Sequence, residues 1–426
     1  MACATDRVLD LAPQLSQGCR IFPFECFDIQ AKMIEPVKRR VVIHFPGFER
    51  MDASAHYRRF KRSAHRSSEI WGFSTAIEPL SEEPSASHFA IVCEAPGWRT
   101  ASTIYICDHN TLVEKFSDKP MTRRILAGFA GFGFAIGQGA LTAYFRHAWR
   151  FGLFFLFPFV LMSIGLATSL AVAAVPQWLD FKFWHYLWSL PLAYSFYRYL
   201  FHPFSERLLT LHLLADWELA VSAAGAGDSD LDRWLERQSD LVIEALDEPA
   251  DEYLISSHSM GSTLAAHVLG MVLERKPDAI AGKRVVFATL GGAILQCALL
   301  KSADRLRQRV GEIARAPEVS FVEVQCLTDV IHFYKCAVVS LCGHPDAPQA
   351  ELMFIKVKHL LKPERYLRIK RDFLRVHRQY VLHADNPGSF DFTLLTTGPF
   401  PADLTTDYSK RDFGFAKAAA LGSTNA

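Results

Sequence analysis

The sequence lacks a charge excess of either sign. Its 426 residues include 46 Lys and Arg against 45 Asp and Glu, which gives a formal net charge of +1 at pH 7. Nucleic-acid binding needs a basic surface that neutralises phosphates, so this balance argues against a general nucleic-acid-binding protein. The chain is also poor in charge overall, with 21% charged against 50% hydrophobic residues, which excludes a disordered or collagen-like protein.

The usual signatures of cofactor and metal sites are absent from the sequence. We find no phosphate-binding loop, no dinucleotide fingerprint and no metal-ligand spacing, so we expect no cofactor and no metal. The nine cysteines are scattered without a C-x-x-C pair, which favours buried free thiols in a reducing compartment over a disulfide framework. The N-terminus lacks an apolar core of signal-peptide length, so we expect no secretion signal.

Phenylalanine is in excess, and much of it lies in one segment. Of 33 Phe residues, 14 fall between Phe129 and Phe204. Residues 151–175 carry no charge, and a helix of that length spans about 37 Å, more than the ~30 Å hydrocarbon core of a bilayer. A second apolar run, 183–201, contains tyrosines suited to the headgroup level and one late charge, Arg198. The pattern predicts a transmembrane hairpin.

A third uncharged segment, residues 125–145, is rich in glycine. Basic residues flank it on both sides, which favours a cytoplasmic position for both flanks. A single domain built from the sequences before and after the insert also requires an even number of crossings. We therefore predict two spans, with 125–145 at the interface or re-entrant. The predicted location is a bacterial-type inner (cytoplasmic) membrane, with the soluble part facing the cytoplasm.

The sequences on either side of the insert predict an α/β domain. Strands and helices alternate after the insert, which predicts a mostly parallel sheet flanked by helices. The predicted strands are 39–43, 89–93, 103–107, 253–256, 284–290, 319–327 and 352–357. The predicted helices are 205–223, 230–246, 263–274, 303–313 and 363–381.

One strand-to-helix junction carries the clearest chemical signal. The residues Ser257-His-Ser259-Met-Gly261 follow a predicted strand and precede a helix. They resemble the nucleophile elbow, G-x-S-x-G, of the α/β-hydrolase superfamily, with Ser257 in place of the first glycine. The elbow needs small residues two positions before and after the nucleophile, because its strained turn packs strand against helix. The resemblance implies that Ser259 is the nucleophile.

The resemblance also implies an acid and a base that follow the nucleophile at the ends of later strands. Asp329 closes the strand 319–327 and would be the carboxylate that orients the base. His359, directly after the last predicted strand, is our first candidate for the base. His377 is the alternative, although it would lie ~20 Å along the terminal helix beside an apolar stripe. His383 is the third candidate.

The oxyanion hole implied by the resemblance uses backbone N–H groups from two places. One is the residue after the nucleophile, here Met260. The other lies in the loop after an earlier strand, and the turn at residues 44–48 follows the first predicted strand. That turn points to the N–H of Phe48 or of Phe45.

The chain as a whole resembles an α/β-hydrolase with an inserted transmembrane helical hairpin. It is similar to uncharacterised bacterial membrane-bound α/β-hydrolases, which share segments like 377–380 and 387–392. The predicted organisation has four parts: an N-terminal part of the hydrolase domain (1–120), a membrane-associated insert (121–204), a C-terminal part with the catalytic residues (205–408) and a flexible tail (409–426).

We expect a membrane-anchored serine hydrolase that cleaves a carboxylic ester with a lipid-like or apolar acyl group. The expected partners are the lipid bilayer and a small-molecule or lipid ester, and nucleic acid is not expected. The basic stretch 356–378 predicts contact with anionic lipid. Two alternatives stay open: an acyltransferase with the same nucleophile, or a non-catalytic scaffold or partner-binding protein. The sequence leaves the substrate and the oligomeric state undetermined.

Overall fold

A twisted sheet organises the computed structural model, which describes residues 36–82, 86–404 and 408. Within these residues the sheet has nine strands, in the order β2-β4-β5-β1-β6-β7-β8-β9, with β3 paired to β4. The strands are β1 Arg39–Phe45, β2 Ser74–Ile77, β3 Ser81–Glu82, β4 Ser87–Ala95, β5 Trp98–Ile106, β6 Glu252–His258, β7 Val285–Leu290, β8 Val319–Cys326 and β9 Glu351–Ile355.

The sheet is largely parallel. Strand β1 pairs in parallel with β5 and β6, and β6 to β9 continue in parallel. Strands β2, β3 and β4 form an antiparallel edge. The prediction of a mixed α/β fold with a mostly parallel sheet is therefore confirmed. All seven predicted strands are present, whereas the short strands β2 and β3 were not predicted.

Helices cover both faces of the sheet. The helices that precede β6 in the chain are α1 Ala53–Trp71, α2 Asn110–Ser117, α3 Met121–Gly137, α4 Ala140–His147, α5 Trp149–Ala173, α6 Val175–Trp178, α7 Tyr186–Ser195, α8 His202–Arg207, α9 Thr210–Val221 and α10 Ser229–Leu246. The later helices are α11 Met260–Arg275, α12 Ile294–Ala298, α13 Asp304–Arg315, α14 Val338–Leu341, α15 Val357–Leu360, α16 Pro363–Ile369, α17 Phe373–His377 and α18 Phe392–Thr397.

The core lies in two layers because successive side chains of the central strands point to opposite faces. Val41, Ile43 and Phe45 of β1 pack in one layer, and Val42 packs in the other. The first layer continues into the insert, where Phe155 of α5 packs edge-on against Trp217 of α9. The N-terminal half of α5 is thus part of the core that carries the sheet.

The predicted helix 363–381 is wrong as a single helix. The chain forms α16, α17 and a 3₁₀ turn at Arg378–Val381 instead. The side chain of Asp372 accepts a hydrogen bond from the Arg375 N–H at 3.0 Å and begins α17 as a new helix. The apolar periodicity does not reveal this break, because residues from all three pieces are buried in the same layer of the core.

One described helix, α5, is by itself long and apolar enough to cross a membrane. Its 25 residues include an 18-residue window with a mean hydropathy of 2.1, of which 28% is buried. Helices α3 and α4 pass the same test only if taken together, and they are bent by 72°. By length and composition the described residues thus contain one or two candidate spans. The predicted second span, 183–201, is divided into a 3₁₀ turn, α7 and a π-helical turn.

The end of α5 and α7 pack against each other as a hairpin. The hydroxyl of Ser189 in α7 donates to the carbonyl of Ala173 at 3.1 Å. Gly165 leaves room for the ring of Phe201, which would clash with any Cβ at that position. The outer side of the hairpin is apolar and unpartnered, with Phe183 and Leu187 each about four-fifths exposed.

Candidate active site

Ser259 occupies a strained turn between β6 and α11. Its backbone has φ 53° and ψ −127°, a conformation that residues other than glycine rarely adopt. The Ser259 N–H donates to the Leu290 carbonyl at 3.2 Å. The Ser259 carbonyl accepts from the N–H groups of Ser262 and Ala293 at 2.9 and 3.1 Å. Neighbouring elements therefore hold the turn in place, as a nucleophile elbow requires.

Small residues on both sides of Ser259 allow the turn to pack tightly. A Cβ on Gly261 would clash with the carbonyl oxygens of Phe45 and Pro46, so only glycine fits there. Ser257 is fully buried, and its hydroxyl donates to the Ala288 carbonyl at 3.2 Å. The serine in place of the first glycine of the motif is tolerated because its polar group has a partner.

Asp329 and His377 form a buried hydrogen-bonded pair. The Nδ1 atom of His377, at the end of α17, lies 2.7 Å from Oδ2 of Asp329, which follows β8. A carboxylate only accepts, so Nδ1 carries the proton and Nε2 of the neutral ring keeps its lone pair. Among the described residues, the buried Nε2 of His377 has no hydrogen-bond partner. This nitrogen is free to act as a base.

The electrostatic surroundings keep Asp329 ionised. Burial alone would raise the pKa of its carboxyl, but the charges of His377 and His332 and the hydrogen bonds of the carboxylate hold it at about 2. One of these bonds is donated by the Ile331 N–H at 3.0 Å. His332 lies farther off, with Nε2 3.9 Å from Asp329, and it bonds to the Cys326 carbonyl.

Of the three candidate bases, the structure brings His377 to Asp329. His359, our first candidate, is exposed on α15 and lies outside the cleft that contains Ser259. His383 lies with its Nε2 3.0 Å from Arg365. The geometry therefore favours His377, the alternative candidate, over His359. The predicted single helix is broken before α17, and His377 at the end of this short helix lies beside Asp329, which follows β8.

Ser259 and His377 line one cleft at the carboxyl ends of the strands. Strand β1 lies between β5 on one side and β6 on the other, so the order of the strands reverses at β1. Such a reversal leaves a crevice at the carboxyl ends of the strands. One part of the cleft wall is apolar, and another is polar. The apolar side chains are Phe48, Phe154, Leu213, Ile331 and Leu374, and the polar ones include Glu49, His212, Asp216, Gln296 and Arg378. A second cavity, on the opposite face of the sheet, contains neither Ser259 nor His377.

The loop after β1 runs directly over the elbow. A Cβ on Gly47 would lie 3.2 Å from the Cβ of Ser259. Within the described part of the chain, the Phe48 N–H has no hydrogen-bond acceptor. Met260 is the first residue of α11, so its N–H belongs to the unpaired donors of the helix N-terminus. Phe45 ends β1 opposite Ser257, and it directs its carbonyl towards Gly261. Of the two candidates in this loop, the N–H of Phe48 is therefore better placed than that of Phe45 to join the Met260 N–H in the expected oxyanion hole.

His258, which the sequence analysis did not single out, lies beside the pair. Its Nε2 donates to the His377 carbonyl at 3.1 Å, and the two rings are 4.8 Å apart. Burial, followed by the charge of His377, lowers the pKa of His258 to about 3, so this ring is neutral. It anchors the backbone of His377. Its position next to Ser259 in the sequence was the only available signal.

A charged cluster connects the loop after β1 to the segment of His377. Glu49 binds Arg59 of α1, and its Oε1 lies 2.7 Å from Nε of Arg378. Burial alone would raise the pKa of Glu49, but the two arginines hold it at about 2. His212 of α9 also fixes the loop, since its Nε2 donates to the Phe48 carbonyl at 3.1 Å. These contacts join residues far apart in sequence, so no local pattern predicts them.

The described residues contain no group of three or more His, Cys, Asp or Glu side chains that could hold a metal ion. The six described cysteines are all buried and free, which agrees with the expectation of buried free thiols for these six residues. Cys3, Cys19 and Cys26 lie outside the described residues, as do residues 1–35 of the predicted N-terminal part and the predicted tail, 409–426.

No protein-family model matches the chain, and no curated protein and no solved structure matches it significantly. The function is therefore inferred from the fold and from the geometry of the cleft.

Proposed function

We propose that the protein is a membrane-associated serine hydrolase of the α/β-hydrolase type, which cleaves carboxylic esters with Ser259, His377 and Asp329. One observation carries the proposal. The Asp329–His377 hydrogen bond leaves Nε2 of His377 unpaired in the cleft that also contains the strained Ser259. A nucleophile, a base and an orienting carboxylate in one cleft are the requirements of acyl transfer.

The proposed reaction has two stages. Nε2 of His377 takes the proton of Ser259 as the hydroxyl oxygen attacks the ester carbonyl, and Asp329 stabilises the imidazolium. The N–H groups of Met260 and Phe48 stabilise the oxyanion of the tetrahedral intermediate. The imidazolium then protonates the leaving alcohol. In the second stage, water activated by the same nitrogen attacks the acyl-enzyme, which releases the acid and regenerates Ser259.

An apolar acyl substrate is supported by the wall of the cleft. Phe154 lines the cleft and also belongs to α5, the helix that is able to span a membrane. Farther along the same helix, Ile164 and Leu170 are more than half exposed, so α5 connects the cleft wall to the exposed apolar hairpin. If α5 crosses the bilayer, the cleft therefore lies at the near membrane surface, where lipid-like esters are concentrated.

We further propose that α5 and the segment 183–201 cross the membrane as a hairpin, with the catalytic part on the cytoplasmic side. The contacts of the other apolar helix support two crossings rather than more. At the start of α3, Lys119 forms an ion pair with Glu218, and at its end the Gln138 carbonyl accepts from the Lys301 N–H at 3.3 Å. Both ends of α3 are thus attached to the sheet-containing part, which fits a position at the interface.

The basic stretch 356–378 supports contact with anionic lipid. Leu367 and Phe373 are more than half exposed, and basic side chains surround them on α16 and α17. Exposed apolar residues among basic ones are typical of segments that lie at a membrane surface. Arg365 differs from the others, because it binds the Asp385 carboxylate at 2.8 Å and has a structural role.

The direct test is labelling of membranes with a fluorophosphonate probe. We expect the wild-type protein to be labelled at Ser259 and the Ser259→Ala variant to remain unlabelled. Labelling that persists in Ser259→Ala would defeat the assignment of the nucleophile. A folded wild-type protein that resists the probe would favour the alternative of a non-catalytic scaffold. Acyl transfer would use the same acyl-enzyme and would be revealed by a product formed with an added alcohol in preference to water.

A further inference from the structure

A second polar pair faces the cleft and takes no part in the proposed reaction. Asp216 of α9 and Gln296 of α12 line the cleft together with Ser259. The side-chain Nε2 of Gln296 donates to Oδ2 of Asp216 at 3.2 Å. Gln296 is buried, and its main-chain carbonyl accepts a hydrogen bond from the Tyr144 hydroxyl, which fixes the backbone at this position.

We propose that Asp216 and Gln296 bind the alcohol portion of the substrate and select esters of hydroxylated alcohols, such as glycerol, over esters of simple alcohols. This inference rests on the proposed hydrolase function and adds the class of alcohol to it.

The pair offers acceptors to a ligand. Within the described residues, Oδ1 of Asp216 and Oε1 of Gln296 have no hydrogen-bond donor. Burial raises the pKa of Asp216 to about 6, against the opposing effects of Gln296 and His377, so the carboxylate is ionised at neutral pH. Two free acceptors select a ligand that brings donors.

The position of Asp216 matches the alcohol side of the ester. His377 must protonate the leaving oxygen, so the leaving alcohol lies next to His377. Asp216 is close enough to His377 for their charges to interact, yet no ion pair joins the two side chains. Both side chains line the same cleft, so an alcohol bound there would have both beside it. Leu213, one helical turn earlier on α9, belongs to the apolar wall proposed for the acyl chain.

The test measures protection of Ser259 against a fluorophosphonate probe in the full-length protein in detergent. The competitors are 1-decanoylglycerol and methyl decanoate, which share the acyl chain and differ in the alcohol. We expect the glyceryl ester to protect the wild-type protein at a concentration about tenfold lower, since hydrogen bonds to a charged acceptor contribute on this scale. Asp216→Asn and Gln296→Met should each reduce this preference to about twofold or less, and the exposed control Asp232→Asn should keep it.

The outcomes separate this inference from the proposed function. Absence of labelling at Ser259 in wild-type protein would contradict the hydrolase function itself. Labelling with equal protection by the two esters would overturn the role of the polar pair alone. A preference for the glyceryl ester that persists in both Asp216→Asn and Gln296→Met would do the same. Stronger protection by the choline ester of decanoic acid than by the glyceryl ester would show that the pair selects cations instead.

Discussion

Nδ1 of His377 lies 2.7 Å from Oδ2 of Asp329, although the two residues are 48 positions apart and belong to different elements. Both side chains are buried, and the bond fixes the ring so that its other nitrogen faces the cleft of Ser259. A fixed tautomer is what a general base needs, because only the unprotonated nitrogen can accept the serine proton. The proposed chemistry depends on this contact.

Replacement of the proposed base should separate His377 from the other candidate, His359. We expect His377→Ala to lower kcat/KM for an activated ester by about 10³-fold or more, because the serine loses its proton acceptor. His359→Ala is the matched control, since His359 is exposed outside the cleft, and it should stay within about twofold of wild type. Steady-state hydrolysis of a p-nitrophenyl ester measures both variants. A large loss in His359→Ala with activity retained in His377→Ala would reverse the assignment.

The elbow should tolerate no side chain at position 261. In Gly261→Ala the new Cβ would clash with the carbonyl oxygens of Phe45 and Pro46, which cannot move without distorting β1. We expect a loss of about 2 kcal/mol or more in the free energy of unfolding. Gly133→Ala is the control, because a Cβ there meets no atom within 4 Å and alanine favours a helix. Thermal unfolding of the two variants in the same detergent should show a lower Tm for Gly261→Ala only.

Glu49 should make stability depend on pH in the acid range. Its pKa is about 2 in the folded protein against an ordinary value of 4.5, so the unfolded chain takes up a proton at a higher pH. The stabilising contribution, about 3 kcal/mol by linkage, is complete above about pH 4.5 and is lost as the pH falls towards 2. Denaturant unfolding between pH 6 and 3 measures it. Glu49→Gln should flatten the dependence, and an unchanged slope would show that other carboxyls are responsible.

The apolar wall should set the preferred length of the acyl chain. Phe154→Ala would enlarge the cleft on its apolar side, so we expect the optimum of kcat/KM to move to longer acyl chains. Leu153→Ala provides the control, since the Leu153 side chain is about half exposed and does not line the cleft. A series of p-nitrophenyl esters of increasing length measures the shift. The same shift in both variants would point to a general change in α5.

The basic surface of α16 and α17 should respond to lipid charge. We expect the double variant Arg368→Gln/Arg371→Gln to lower the ratio of activity in anionic vesicles to activity in zwitterionic vesicles. Each arginine near an anionic surface contributes about 1 kcal/mol of attraction at low salt. Both side chains are exposed, and Arg237 and Arg305 are exposed arginines for a control double variant. Ester hydrolysis in reconstituted vesicles of the two compositions gives the ratio. A ratio that is equal in wild type and in the Arg368/Arg371 variant would refute this role of the surface.

Much of the fold follows from local sequence patterns. Short apolar runs between polar turns predicted every strand from β4 to β9 except for their ends, and the alternation with helices predicted the parallel sheet. Side-chain alternation and helical periodicity depend on neighbours within a few positions, so one sequence is sufficient to reveal them. The helix 363–381 failed for the same reason, because a break that keeps the apolar spacing leaves no mark on periodicity.

The sequence by itself determined the apolar length of α5, the succession of elements that leads to Ser259, and the small residues that the strained turn requires. Only the tertiary structure decided that His377 meets Asp329, that Phe154 of the insert lines the cleft, and that Asp216 and Gln296 face it. These contacts join segments far apart in the chain, and they depend on how whole elements pack. Packing is a property of the assembled core, so no short window of sequence contains it.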